Sequence, residues 1–391
     1  MAAAAKAEAR NPGIDLLRGL SIVLVVMHHV GLRIPLRHGA LSALLPAWSL
    51  NALIYNGYEA VFIFFVISGF LITTNTQMRW GGLDAIDPRA FYSRRAARIL
   101  PCLLVLVAVL SGLHLLGAQD YHITKAGQSL PRAIGSALGF HLNWYEGRTG
   151  YLPGNWDVLW SLSIEEVFYL GFPILCLALG RRKALGPALA LLALSLPVSR
   201  AALAGNEIWQ EKAYLPGMAG IAMGVLAALV AGKLRPARRG TLAALAVLGA
   251  AGVAVVLCGE GWLWPLLGNG CILLLTLSTA ILLVALHGQA REGRPWRFPG
   301  TAWLRSFGRL SYEIYLTHMF IVWPVVRAFR ARGGGLWWGI LWYLPALALS
   351  WFLGWLVARG LSLPAERWMR RILGKTPPEP PAPEALPEAA L

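Results

Sequence analysis

Residues 14–30 read IDLLRGLSIVLVVMHHV, an apolar stretch interrupted by four ionisable side chains. A helix needs about 20 mostly apolar residues to cross a bilayer. The run continues to about Pro35 and has no small-residue cleavage site, which a secretory signal peptide would show. The sequence therefore predicts a first membrane span over residues 14–36 rather than a cleaved leader.

The overall composition is that of a membrane protein. Hydrophobic residues make up 57% of the 391 residues and charged residues only 14%, whereas a soluble domain carries roughly 25% charged residues. The net charge of +16 could indicate nucleic-acid binding. However, the basic residues form short clusters between apolar runs, which is typical of membrane topology. We therefore expect a lipid bilayer, and no nucleic acid, as a partner.

Further apolar runs extend this pattern along the chain and predict an all-α polytopic integral membrane protein with about ten transmembrane helices. Besides residues 14–36, the predicted spans are 53–76, 98–117, 158–180, 185–204, 213–232, 241–258, 262–287, 301–328 and 336–361. The one long loop, 118–157, is expected to be functional and partly re-entrant. Residues 372–391 are rich in Pro and Glu and are predicted to be a disordered tail.

The basic residues also predict the orientation. With the N-terminus in the cytoplasm, 25 of the 35 Lys and Arg residues fall in cytoplasmic segments or at cytoplasmic helix ends. Basic residues are enriched on the cytoplasmic side of membrane proteins. We therefore expect both termini in the cytoplasm.

Arg18 and His29 are the first candidate functional pair. Eleven residues separate them, so on a helix they differ by only about 20° and lie about 16 Å apart along the axis. Asp15 is spaced to pair with Arg18, and His29 is expected near mid-membrane. Ionisable groups at membrane depth usually line a cavity and serve function. The alternative is an arginine that extends to the membrane surface and a histidine packed against a neighbour.

A second candidate site is WSLSIEEVFYL, residues 160–170. Glu165 and Glu166 lie inside an apolar segment and point about 100° apart, so we expect one of them to face a cavity. A carboxylate beside His29 would orient the imidazole and stabilise its protonated form, and Glu165 is our choice. Trp160 has the simpler interpretation of an interface anchor.

Two more segments carry polar residues in helical register. In GRLSYEIYLTH, residues 308–318, Ser311, Tyr315 and His318 form one stripe, which interhelical hydrogen bonding would also explain. In RRAARILP, residues 94–101, three arginines stand at a predicted cytoplasmic helix entry. They match the oxygens of a phosphate, although a topology signal is the simpler interpretation. These arginines are Arg94, Arg95 and Arg98.

Five blocks in this order resemble the membrane acyltransferase-3 family, and the resemblance runs from Ile14 to about Arg370. The blocks are Arg18 with His29, FFVISGFLI at 64–72, RRAARILP at 94–101, WSLSIEEVFYL at 160–170 and GRLSYEIYLTH at 308–318. The sequence departs from the family at Trp368, where a proline is common. Some members append a periplasmic esterase-like domain, and no such domain is expected here.

The resemblance implies that residues 1–371 form a membrane acyltransferase domain in the inner (cytoplasmic) membrane of a bacterium. Family members move an acyl group, usually acetyl, from cytoplasmic acyl-CoA to a hydroxyl, most often on a sugar. The expected acceptor is a cell-surface glycan such as lipopolysaccharide or another polysaccharide, and the alternative is a sugar-bearing small molecule such as a macrolide. Acyl-CoA is a co-substrate, and we expect no further cofactor and no metal.

Residue roles follow from the resemblance together with the helical geometry. His29 is the expected general base with Glu165 as its partner, although a covalent acyl-histidine or acyl-serine intermediate stays open. The remaining positions are expected to bind substrate. They are Arg18, Arg94, Arg95, Arg98, Ser68, Trp160, Ser161, Tyr315 and His318.

Two other classes of protein fit parts of the pattern. A secondary transporter could use Arg18, Glu165 and His318 as a proton and substrate pathway. Transporters often contain inverted repeats, and the sequence shows none. A structural membrane protein would not need ionisable residues aligned on one helix face.

Overall fold

The computed structural model describes residues 10–180, 183–233, 238–293, 295–296 and 298–373, and regular structure in these ranges is helical throughout. The first ten α-helices are α1 Pro12–Gly31, α2 Ala47–Ile54, α3 Gly57–Trp80, α4 Pro88–Leu115, α5 Leu130–Leu138, α6 Leu142–Thr149, α7 Gly154–Asp157, α8 Leu159–Leu179, α9 Leu185–Leu194 and α10 Leu196–Ala201. The next ten are α11 Glu207–Lys212, α12 Tyr214–Lys233, α13 Arg239–Cys258, α14 Glu260–Leu267, α15 Gly270–Arg291, α16 Ala302–Arg309, α17 Ser311–Thr317, α18 Met319–Ala331, α19 Tyr343–Val357 and α20 Leu363–Leu373.

Eight segments of the described residues are long and apolar enough to cross a membrane, which confirms a polytopic all-α membrane protein. They are Pro12–Gly31, Gly57–Trp80, Pro88–Leu115, Gly154–Leu179, Glu207–Lys233, Arg239–Cys258, Gly270–Arg291 and Leu336–Leu373.

The other two predicted spans, 185–204 and 301–328, are broken into shorter helices. The first is divided at Ser195, and Pro197 lies in the first turn of α10, where its missing N–H does no harm. The second is divided at Leu310 and again at His318. The orientation of the chain, and the count of ten, stay predictions.

Several segment ends differ from the predictions. Helix α4 begins at Pro88, ten residues before the predicted span 98–117, and the predicted span 262–287 is divided between α14 and α15. Helix α1 ends at Gly31, five residues before the predicted end. The 118–157 loop contains the short helices α5, α6 and α7. Helix α20 continues to Leu373, past the start of the predicted disordered tail, and the rest of that tail lies outside the described residues.

Local sequence explains where helices α1 and α4 begin. The Asn11 side chain accepts hydrogen bonds from the backbone N–H groups of Gly13 and Ile14 at the start of α1. Asp87 caps α4 in the same way. Both caps are followed by a proline in the first turn, where no N–H is needed.

Two glycines bring α1 and α16 into close contact. A Cβ added at Gly308 would lie 1.8 Å from the Asp15 carbonyl oxygen, and one at Gly19 would lie 2.0 Å from the Leu304 oxygen. Only residues without a side chain allow the backbones to approach this closely. This contact places α17, the next helix after α16, alongside α1.

Candidate active site

The face of α1 that carries Arg18 and His29 lies against α17. Both Nε and Nη2 of Arg18 donate hydrogen bonds to Ser311 Oγ, at 3.1 and 2.7 Å. Eleven residues further along, His29 Nδ1 lies 3.4 Å from His318 Nε2, and the ring centroids are 4.9 Å apart. The two predicted polar stripes therefore face each other, with an arginine end at Arg18 and a histidine end at His29.

One expectation about α1 is wrong. Asp15 forms its ion pair with Arg10, at 3.3 Å, rather than with Arg18. His29 lies two residues before the C-terminal end of α1, and its depth in the membrane stays a prediction.

Hydrogen bonds to backbone carbonyls fix the tautomers of the histidine pair. His29 Nδ1 lies 2.9 Å from the Val25 oxygen, and His318 Nδ1 lies 2.8 Å from the Tyr315 oxygen. Carbonyl oxygens only accept hydrogen bonds, so in each neutral ring Nδ1 carries the proton. The single Nδ1 proton of His29 is then shared between the Val25 oxygen and the more distant His318 Nε2, and Nε2 of His29 keeps a lone pair. Among the described residues, no hydrogen bond involves His29 Nε2.

Glu165 does not have the predicted place beside His29. Its carboxylate accepts hydrogen bonds from Ser68 Oγ and the Tyr169 hydroxyl, both at 3.3 Å. The residue of α8 that lies level with Tyr315 is Ser161, whose Oγ donates to the Tyr315 hydroxyl at 2.7 Å. Glu165 is one turn further along, toward the arginine end. His318 therefore takes the place that was predicted for Glu165.

The three predicted phosphate-binding arginines differ in their surroundings. Arg95 Nη2 pairs with Glu166 Oε1 at 3.2 Å, and its guanidinium lies 3.8 Å from the centre of the Tyr169 ring. Neither Arg94 nor Arg98 forms an ion pair with a described residue. Arg98 lies 5.6 Å from the Tyr312 ring centre, beside Ser311. Two of the three arginines therefore have no counter-ion among the residues that the structure describes.

Sequence reasoning missed a buried charge cluster near the start of α8. Lys212 Nζ donates to Glu146 Oε2 at 2.9 Å and also to Asp157 Oδ1. The Lys212 and Glu146 side chains are buried, and Asp157 is 21% exposed. Burial raises the pKa of the Glu146 carboxyl well above its usual range, and the charge of Asp157 acts in the same direction.

Trp160 lies between this cluster and an aromatic side chain of α3. Its ring centre is 5.9 Å from Lys212 Nζ, and it stacks on Tyr58 with the ring centroids 6.5 Å apart. Trp160 is almost fully buried, which makes it a wall of the site rather than a lipid-facing anchor. Within the described ranges, no group of three or more His, Cys, Asp or Glu side chains is placed to ligate a metal ion.

Comparison with known proteins shows the family of the chain. Residues 11–359 match the acyltransferase-3 family, which is described as an acyltransferase domain. The O-acetyltransferases OatA of Staphylococcus aureus strains NCTC 8325 / PS 47 and COL are each 28% identical to the chain over 174 residues, which is 42% of this chain and 24% of theirs.

The aligned part is thus about a quarter of the length of these relatives. No solved structure matches the chain. The family match covers nearly all of the predicted membrane domain and confirms the resemblance of the five sequence blocks. The chain therefore belongs to the acyltransferase-3 family of membrane acyltransferase domains.

Proposed function

We propose that the protein is a bacterial membrane O-acetyltransferase that moves an acetyl group from cytoplasmic acetyl-CoA to a hydroxyl of a cell-surface glycan. The observation that carries the proposal is the placement of Arg18, with Arg98 near it, toward one end of α1 and of a histidine pair toward the other. Family membership supports acyl transfer, and the OatA relatives are named O-acetyltransferases.

The arginine end suits the phosphates of the donor. Arg94 and Arg98 have no carboxylate partner among the described residues, and guanidinium groups bind phosphate oxygens through paired hydrogen bonds. From Arg18 to His29, the uninterrupted helix α1 rises about 16 Å. The extended pantetheine arm of CoA is of comparable length, so it would carry the thioester from one end to the other.

The histidine end suits proton transfer. Nε2 of His29 takes the proton of the acceptor hydroxyl as its oxygen attacks the thioester carbonyl carbon. The carbon–sulfur bond then breaks, and the CoA thiolate takes that proton from the imidazolium. The Val25 carbonyl holds the ring in the reactive tautomer, and His318 Nε2, 3.4 Å from His29 Nδ1, helps to orient it.

Tyr315 supplies a hydrogen-bond donor for the developing negative charge. Its hydroxyl accepts from Ser161 at 2.7 Å, so its own proton is available to the thioester oxygen. A donor that is already oriented stabilises the oxyanion of an acyl-transfer reaction more than it stabilises the substrate.

Purified protein in nanodiscs, incubated with acetyl-CoA labelled in the acetyl group, tests this function. We expect CoA release, and in the presence of glycan extracted from the cell envelope an alkali-labile acetyl ester on the glycan. A macrolide in place of the glycan tests the alternative acceptor. Intact acetyl-CoA after incubation with every acceptor would contradict the proposal and would favour the transporter class.

A further inference from the structure

The short helix α7 is packed against the histidine end. A Cβ added at Gly154 would lie 2.6 Å from Met319 Cε and 3.6 Å from Trp323 Nε1. Met319 directly follows His318 in the chain, and Trp323 is one turn further along α18. Residues 154–157 therefore lie beside the predicted base and its partner.

Helix α7 carries buried polar groups without hydrogen-bond partners. The Asn155 side chain is fully buried, and within the described ranges neither its amide nitrogen nor its amide oxygen has a partner. The same holds for the indole N–H of the fully buried Trp156. Buried polar groups in native proteins are nearly always satisfied, so the concentration of unsatisfied groups in this one turn indicates that the turn receives a polar ligand.

Asp157 ends this turn and is held by Lys212. Only its Oδ1 atom is engaged by the lysine, and Oδ2 makes no hydrogen bond with a described residue. Lys212 is itself fixed by Glu146, and its ammonium lies 4.4 Å from the Tyr151 ring centre. One cation thus anchors two carboxylates, and the more exposed carboxylate keeps an acceptor oxygen.

We propose that α7 binds the acceptor of the reaction, with Asp157 and Asn155 bonding the hydroxyls that flank the reacting one. Lys212 is a positioning residue that holds Asp157 in place. A carboxylate and an amide beside the Trp160 and Tyr58 rings suit a polyhydroxylated molecule, because such sites combine aromatic walls with a few placed polar groups. The inference rests on the proposed function, since it assigns the acceptor half of that site.

The experiment compares two readouts for Asp157→Asn. One is acetyl ester released by mild alkali from the envelope of the source bacterium carrying the variant in place of the natural gene. The other is acetyl-CoA hydrolysis by the purified variant in nanodiscs, where water is the acceptor. We expect the ester to fall about tenfold or more, as for loss of a charged hydrogen bond, while hydrolysis stays within about twofold of the wild type.

Further variants separate positioning from folding. Lys212→Arg keeps the cation and should retain more ester than Lys212→Met, and Asn155→Ala should lower the ester without lowering hydrolysis. Glu207→Gln is the control, because Glu207 is an exposed carboxylate on the same helix as Lys212. Unchanged ester in Asp157→Asn, or an equal loss of ester and hydrolysis, would overturn the proposal. Absence of CoA release by the wild type would instead refute the proposed function.

Discussion

The two ends of α1 differ in charge and in how they are assembled. The arginine end holds Arg18, Arg94 and Arg98, none of which pairs with a described carboxylate. The histidine end holds two histidines, a lysine shared by two carboxylates, and Arg33, which donates to the His29 carbonyl oxygen and lies over the Trp323 ring. An anionic donor fits the first, and a neutral hydroxyl compound fits the second. The contrast indicates that donor and acceptor bind at opposite ends and that the acyl group crosses between them.

Replacing the predicted base, His29, is expected to have the largest effect and tests the difference between the two ends. His29→Ala should lower kcat for acetyl transfer by roughly 10²–10⁴-fold, the range for loss of general base catalysis. Its donor affinity should survive, because the phosphate contacts lie at the other end. Steady-state kinetics on purified protein measures both quantities.

His28→Ala is the matched control for that substitution. The His28 ring packs over Gly57 and its Nδ1 bonds the Ile54 carbonyl oxygen, so it is expected to stabilise the fold rather than to take part in the reaction. An inactive His28→Ala together with a folded and active His29→Ala would exclude the assignment of the base.

At the arginine end we expect a smaller effect, and we expect it on KM for acetyl-CoA rather than on kcat. Replacing Arg94 and Arg98 together with Gln should raise KM for acetyl-CoA by roughly 10–100-fold, as expected for lost charged hydrogen bonds, and should leave kcat nearly unchanged. The KM should also become less sensitive to salt. An unchanged KM would leave these arginines as topology signals.

Arg95 offers a comparison within the same motif. Because it is already paired with Glu166, Arg95→Gln should lower thermal stability by leaving a carboxylate unpaired. A variant with the stability of the wild type and a raised KM would place Arg95 with the donor-binding arginines instead.

A smaller effect on kcat is expected for His318, the partner of the base. His318→Gln should lower kcat by roughly tenfold, as expected when the group that orients a functional imidazole is lost, with KM for acetyl-CoA unchanged. Glu165→Gln should have less effect on kcat, since Glu165 bonds Ser68 and Tyr169 instead. If Glu165→Gln is the more damaging change, the original pairing of Glu165 with His29 is favoured.

Features within one helix were predictable from the sequence, and contacts between helices were not. The 3.6-residue period alone puts Arg18 with His29, and Ser311 with His318, on common faces. It cannot give the register of α8 against α1, so Glu165 was assigned to the wrong partner. No local pattern links Glu146 to Lys212, which are 66 residues apart.

The central claim is that donor and acceptor bind at opposite ends of α1. Its most direct test is to measure from which side of the membrane the protein uses acetyl-CoA. Protein is reconstituted into liposomes in one orientation, established by labelling a cysteine introduced at Arg367, and acetyl-CoA is supplied to one face at a time. We predict CoA release only when acetyl-CoA is on the face of Arg94 and Arg98, and loss of that release in His29→Ala. Equal release from both faces, or release only from the histidine face, would contradict the account.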